Sequence, residues 1–148
     1  MRKYIFTIFL IGLFLSCDKE KKHPVPDVPI YIEYPVCIND VEYFDLRDIY
    51  GKFILQNEGY MNNGIIIINV GYDESGQYKF MAYDATCPYE VKEGCTIVPD
   101  NSSVSLVECK CCGSKYEVSY GAVSKGPSNY PLKTYKTTFD GECIRIYN

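Results

Sequence analysis

The placement of the cysteines restricts this fold more than any other feature of the sequence. Five of the eight cysteines lie between positions 87 and 112, in two short groups. The first group is Cys87 and Cys95, and the second is Cys109, Cys111 and Cys112. Two cysteine-bearing loops that meet at one point form either a metal centre or a disulfide knot. The Cys-x-x-Cys spacing of Cys109 and Cys112 is a common half-site for zinc or an iron–sulfur cluster, whereas disulfides are the usual state of cysteines outside the cytoplasm.

The N-terminus predicts export. Residues 1–16, "MRKYIFTIFLIGLFLS", begin with two basic residues and continue with an apolar run that ends at Leu15. Residues 14–17 resemble the lipobox of bacterial lipoproteins, with Phe14 where that motif usually has Leu, Val or Ile. This resemblance implies that Cys17 is acylated and that the protein is anchored by lipid to a bacterial membrane, on the periplasmic side or at the cell surface. The alternative is a cleaved secretory signal followed by an incidental cysteine.

The segment after the signal has the composition of a tether. Residues 17–29 combine the lipidated cysteine with mixed charges and three prolines, which predicts a flexible linker before a domain at 30–148. The linker also contains His23, the only histidine of the chain. Removal of the signal leaves 13 basic and 19 acidic residues, a net charge of −6. This charge argues against nucleic acid as a partner.

The remaining sequence has short, β-like segments and no long amphipathic stretch. Residues 64–72 form an apolar β-branched run, typical of a strand buried on both faces, and residues 77–85 alternate and pair with it across a turn at 73–76. A short helix is predicted at 44–50. Further strands are predicted at 36–43, 52–55, 104–109, 115–119, 130–139 and 143–147. The pattern predicts an all-β domain, a small sandwich or barrel.

The second half of the chain resembles the Rieske iron–sulfur domain. That family has Cys-x-His in one loop and Cys-x-x-His-Gly-Ser in another, and here "ATCPYE" at 85–90 and "CKCCGSKY" at 109–116 take their places. The segment "GAVSKGPSNYPL" at 121–132 matches the run of glycines and prolines that follows in the family. The resemblance implies a small Rieske-like sandwich or barrel with a cluster-binding subdomain formed by two converging loops. It also implies a 2Fe-2S cluster and a role in electron transfer.

Both histidine ligands of the family are replaced. Tyr89 and Cys112 stand at the histidine positions, beside Cys87 and Cys109 at the cysteine positions. Since a Rieske centre binds one iron through two imidazoles, its ordinary chemistry cannot be transferred unchanged. The implied ligands are Cys87, Cys109 and Cys112, with Tyr89 or an outside group as the fourth, while a second arrangement recruits Cys95. The cofactor is then a 2Fe-2S cluster, zinc or none.

The resemblance also implies two disulfides. In one branch of the family a disulfide braces the two ligand loops, and Cys95 and Cys111 take those places. The family closes its base sheet with the two terminal strands, which predicts that Cys37 and Cys143 are bridged. If no metal is bound, a further disulfide would join Cys87 to Cys109 or Cys112.

Two functions of different classes therefore follow from the sequence. The first is a membrane-anchored electron carrier or metal-binding protein with a cysteine-modified Rieske site and an unknown redox partner. The second is a metal-free, disulfide-stabilised interaction or structural lipoprotein with an unknown binding partner. A hydrolytic site that uses histidine cannot be assembled, because the domain contains no imidazole. The sequence shows no other catalytic group of residues, and whether the chain is an enzyme stays open.

Overall fold

The computed structural model describes residues 22–30, 32 and 35–148. The predicted signal and Cys17 lie outside the described residues. None of the helices in the described ranges is long and apolar enough to cross a membrane.

The described chain is built almost entirely from short antiparallel strands. Its ten strands are β1 (Val36–Cys37), β2 (Lys52–Leu55), β3 (Ile65–Tyr72), β4 (Tyr78–Asp84), β5 (Ile97–Pro99), β6 (Leu106–Cys109), β7 (Lys115–Glu117), β8 (Val123–Lys125), β9 (Thr134–Phe139) and β10 (Cys143–Tyr147). Three short 3-10 helices span Val41–Arg47, Tyr60–Asn62 and Val91–Glu93. The all-β class expected from the sequence is confirmed.

The strands form two sheets. The larger sheet has the order β1-β10-β9-β4-β3-β2, and the smaller has the order β5-β6-β7-β8. The first and last strands are neighbours, with Cys37 opposite Cys143. A disulfide joins this pair across 106 residues of sequence, as the resemblance implies. We call it the base bridge.

Strand β3 connects two hydrophobic cores. Ile65 to Ile68 are all fully buried, as expected for a strand covered on both faces. Because side chains alternate along a strand, Ile65 and Ile67 enter one core and Ile66 and Ile68 enter the other. The first, which we call the base core, also contains Leu46 from the helix Val41–Arg47. The second, which we call the tip core, lies between β3, β4 and the smaller sheet.

Several predicted boundaries are wrong in detail. The strand expected at 36–43 is only Val36–Cys37, and the helix expected at 44–50 is a 3-10 helix over Val41–Arg47. This helix begins earlier because Tyr43 and Leu46 bury their side chains in the base core. Strands β5 and β8 have only three residues each, too few for their alternation to stand out in the sequence.

The described part of the expected tether lies against the domain. Val25 is 1 % exposed. Nε2 of His23 donates a hydrogen bond of 2.9 Å to the carbonyl of Pro131, and Lys133 forms an ion pair with Asp27. These contacts differ from the flexible linker that the prolines and charges predict. The difference arises because one apolar side chain, Val25, finds a buried position that composition does not reveal.

Candidate metal centre

Two loops meet beside the tip core. The first loop, residues 85–96, follows β4 and carries Cys87 and Cys95, and the second loop, residues 109–114, connects β6 to β7. Each loop is held by its own backbone. In the first, the amide of Cys87 donates to the carbonyl of Cys95 at 2.8 Å, and in the second the amide of Cys109 donates to the carbonyl of Ser114 at 2.8 Å. The Cys-x-x-Cys turn therefore has a fixed shape before any ligand binds.

A disulfide joins the two loops. Cys95 of the first loop is bonded to Cys111 of the second, the pairing that the resemblance implies. We call it the tip bridge. A sulfur bonded to another sulfur carries no thiolate charge to offer an ion, so the arrangement that recruits Cys95 as a metal ligand would require this bridge to be reduced. The tip bridge also removes Cys111 from the candidate ligands.

The other three cysteines of the described residues are reduced and lie together. They are Cys87, Cys109 and Cys112. The sulfurs of Cys87 and Cys112 are 3.7 Å apart, too far for a bond. Cys87 and Cys109 are fully buried, whereas Cys112 is partly exposed. The predicted convergence of three thiols is therefore present, and it is open to solvent at Cys112.

A carboxylate lies close to the three sulfurs. One oxygen of Glu90 and the sulfurs of Cys87, Cys109 and Cys112 all lie within 4.8 Å of one another. The Oε2 atom of Glu90 is buried and has no hydrogen-bond partner among the described residues. A buried carboxylate oxygen without a partner is costly, which makes it a natural place for a cation. The sequence motifs do not single out Glu90, whose only signal is its position three residues after Cys87.

Tyr89 is exposed, unlike the buried carboxylate oxygen of Glu90 beside it. Its side chain is 53 % exposed, and it lines a surface cavity of about 650 Å³ together with Pro24, Pro88 and Glu90. Its role as a ligand, implied by its place in the motif, stays a prediction. The cavity also brings the N-terminal segment, through Pro24, beside the first loop.

The thiols differ in how readily they ionise. Burial raises the pKa of Cys109 to about 12. Burial also opposes ionisation of Cys112, but hydrogen bonds from the side chain and backbone of Ser114 and from the other two thiols outweigh it and lower the pKa of Cys112. Cys112 is therefore the thiol of this pair that ionises more easily. A bound cation would favour the thiolate of Cys109, which burial alone disfavours.

The segment at 126–131, which we call the cover, lies over the second loop. Gly126 has φ of +102°, and a Cβ atom there would lie 2.5 Å from the Cα atom of Ser114. The amide of Ser128 donates to Oγ of Ser114 at 3.1 Å, and the thiol of Cys112 donates to the same oxygen at 3.2 Å. Ser114 thus links the cover to the candidate ligands.

The residues present do not fit a Rieske cluster with two imidazole ligands. The only histidine, His23, donates to the carbonyl of Pro131 and accepts from the amide of Val25, and it does not belong to the group of candidate ligands. The described residues offer three thiols and a carboxylate. This donor set is suited to zinc or to iron held by thiolates.

Comparison with known proteins identifies the fold. No protein-family model matches the chain, and no curated protein matches it. Among solved structures, it is similar to the cyanobacterial plasma membrane Rieske protein PetC3 from Synechocystis PCC 6803, with 22 % identity, a TM-score of 0.54 and coverage of 78 % of this chain and 99 % of that one. A weaker similarity to the Sphingomonas yanoikuyae B1 ferredoxin has 20 % identity, a TM-score of 0.43 and coverage of 57 % of this chain and 74 % of the ferredoxin. The described chain therefore has a Rieske-like fold, and its group of candidate ligands contains no imidazole.

Proposed function

We propose that this protein is a membrane-anchored metal-binding protein with a role in electron transfer, and that Cys87, Cys109 and Cys112 supply the thiolate ligands. The observation that supports this proposal most is the state of these cysteines. They remain reduced and share one site with a carboxylate, although Cys95 and Cys111 beside them form a disulfide. The two loops thus carry one brace and one set of free ligands.

The surroundings of the thiols suit a redox centre. Cys87 and Cys109 are buried, and Cys112 lies nearer the surface below the cover at 126–131. An iron centre bound here would supply one-electron chemistry, tuned by hydrogen bonds to its sulfur ligands. The hydroxyls of Ser114 and Tyr116 are placed to provide such bonds, at 3.2 Å from Cys112 and 3.9 Å from Cys87.

The anchoring part of the proposal rests on the sequence at Cys17. Acylation there would hold the domain at the surface of a bacterial membrane. A Cys17→Ser variant of the full-length chain, expressed in a bacterial host, is expected to move from the membrane fraction to the soluble one, and a Glu74→Gln variant, changed at an exposed position of the domain, serves as the control. Retention of Cys17→Ser in the membrane fraction would argue against lipid anchoring at this residue.

The metal-binding part can be tested by anaerobic purification followed by metal analysis. We expect bound metal in the wild-type protein and its loss in Cys87→Ser and Cys109→Ser. Visible absorption then distinguishes iron held by thiolates from colourless zinc. The control is the double variant Cys37→Ala and Cys143→Ala, because the base bridge is not part of the site. A wild-type protein that takes up neither zinc nor iron, with or without added sulfide, would overturn the proposal.

The tip bridge favours a second candidate function, a metal-free interaction module. The two ligand loops are already joined by Cys95 and Cys111 without any ion. Cys87 and Cys112 are also close enough to bond after a small movement, since their sulfurs are 3.7 Å apart. Mass spectrometry of the anaerobically purified protein separates the two functions. A third disulfide and no bound metal would favour the interaction module.

A further inference from the structure

We propose that the site holds a single divalent ion of the zinc and ferrous class, bound by Cys87, Cys109, Cys112 and the carboxylate of Glu90. This inference rests on the proposed function and specifies it, since it names the fourth ligand and limits the number of ions. It differs from the expectation drawn from the fold, which is a cluster of two irons with ligands on both sides.

The first argument is the spacing of the sulfurs. Two thiolates bound to one tetrahedral ion at about 2.3 Å each are separated by about 3.8 Å. The sulfurs of Cys87 and Cys112 are separated by 3.7 Å. In the Rieske resemblance these two positions serve different irons, because the cysteines bind one iron and the histidine positions bind the other. Two irons do not fit between sulfurs that lie as close as two ligands of one ion.

The second argument is the fourth ligand. A closed tetrahedral site needs four donors, and three of them are cysteines. Glu90 supplies a carboxylate oxygen within 4.8 Å of all three sulfurs. Its Oε2 atom is buried and has no partner among the described residues, so protein contacts do not explain its burial. A cation accounts for this buried oxygen and for the three converging thiols together.

The third argument is that the fold already holds the candidate ligands near one another and that their total charge suits a divalent ion. Glu90 immediately precedes the helix Val91–Glu93, which turns the first loop back toward β5. The tip bridge sets the distance between this loop and the Cys-x-x-Cys turn. Three thiolates and one carboxylate carry the same formal charge as the four thiolates of a structural zinc site. The partly exposed Cys112 provides the entry side for the ion.

Cobalt titration of the metal-stripped, full-length protein tests the inference. Tetrahedral Co²⁺ bound to thiolates absorbs strongly in the visible range, and zinc should displace it. We expect one Co²⁺ per chain. The Glu90→Gln variant keeps the shape of the side chain and removes its charge, and it should bind Co²⁺ at least about tenfold more weakly with an altered visible spectrum. The matched control is Glu93→Gln, an exposed carboxylate at the end of the same short helix, which should bind as the wild type does.

The possible outcomes separate this inference from the proposed function. Two irons with inorganic sulfide per chain would overturn the single-ion site and leave a metal-binding protein. Unchanged affinity and spectrum in Glu90→Gln would overturn the role of Glu90, provided that circular dichroism shows both variants to be folded. Failure of the wild-type protein to bind any metal would instead overturn the proposed function. Metal analysis of the anaerobically purified protein then decides between iron and zinc, and zinc, which has no redox chemistry, would keep the single-ion site and overturn the role in electron transfer.

Discussion

The two cores of this molecule share strand β3 but bury different chemistry. The hydrophobic cluster of the base core consists of aliphatic and aromatic side chains, whereas that of the tip core includes Cys87 and Cys109, both fully buried. Each core is also associated with its own disulfide. None of the candidate ligands among the described residues belongs to the base core, whereas Cys87 and Cys109 belong to the tip core. Variants that remove one feature from each region should therefore have different consequences.

The largest effect on stability is expected from the base bridge. Replacing both Cys37 and Cys143 by alanine should lower the free energy of unfolding by about 4 to 5 kcal/mol, because the bridge closes a very long loop in the unfolded chain. The folded variant should keep its metal content. Urea unfolding of the metal-free protein measures the first quantity, and metal analysis measures the second. A loss of metal from the folded variant would show that the two regions are not independent.

The tip bridge should affect both properties. Replacing Cys95 and Cys111 by alanine opens a loop of 16 residues, for which we expect a loss of about 3 kcal/mol. Metal affinity should fall as well, because the first and second loops are no longer held together. The same unfolding and metal-binding measurements apply. If affinity is unchanged, the pairing of β5 with β6 is enough to hold the two loops together, and the comparison of the two bridges fails.

A smaller effect is expected from Gly126→Ala in the cover. The new Cβ atom would collide with the backbone of Ser114, and the positive φ adds strain, for a total cost of about 1 to 3 kcal/mol. The displaced cover should also expose Cys112 to alkylation more quickly in the metal-free protein. Gly76→Ala is the matched control, since Gly76 also has positive φ but has no atom within 4 Å of the added carbon. Equal alkylation rates in the two variants would contradict a covering role.

The smallest effect concerns Asp100, which lies between β5 and β6. Hydrogen bonds from Lys115 and Ser102 hold the pKa of this carboxyl well below its ordinary range. A depressed pKa stabilises the folded state above the unfolded value of about 3.9, and this stabilisation is lost as pH falls through the folded value. Asp100→Asn should therefore melt at a lower temperature than the wild type at pH 7, and the difference should shrink below about pH 4. Thermal melts across pH measure this, with the exposed Glu74→Gln as a control that should show no such trend.

Sequence patterns identified the parts of the fold whose residues carry a strong local signal. The run Ile65–Ile68 is apolar at every position, so its burial on both faces followed directly. The disulfide pairs followed from the resemblance, because it assigned the cysteines to places in the fold. The 3-10 helix Val41–Arg47 was missed in its first turn, since seven residues with two buried side chains give too short a pattern to place its start.

The fourth candidate ligand could not be found in this way. Glu90 is one of 19 acidic residues in the sequence. Its place beside the three thiols depends on the turn that the helix Val91–Glu93 imposes on the first loop. The motif drew attention to Tyr89 instead, because that position holds a ligand in the family. Val25 is a similar case, since two valines among prolines and charges give no periodic signal. In both cases tertiary contacts, rather than local pattern, decide the outcome.

The contacts of the N-terminal segment, residues 22–30, with the domain limit the length of chain between a lipid on Cys17 and the domain. With the lipid on Cys17 that we propose, only the five steps from Cys17 to Lys22 precede the described segment, and they span at most about 18 Å. His23 is then fixed to Pro131 at the end of the cover, and Pro24 lines a cavity with Tyr89. The lipid would therefore be joined to the domain by a short linker, which reaches the domain beside the candidate metal site. Such a short linker would keep the candidate metal site within a few nanometres of the bilayer. This position would favour a partner embedded in the same membrane over one that diffuses freely.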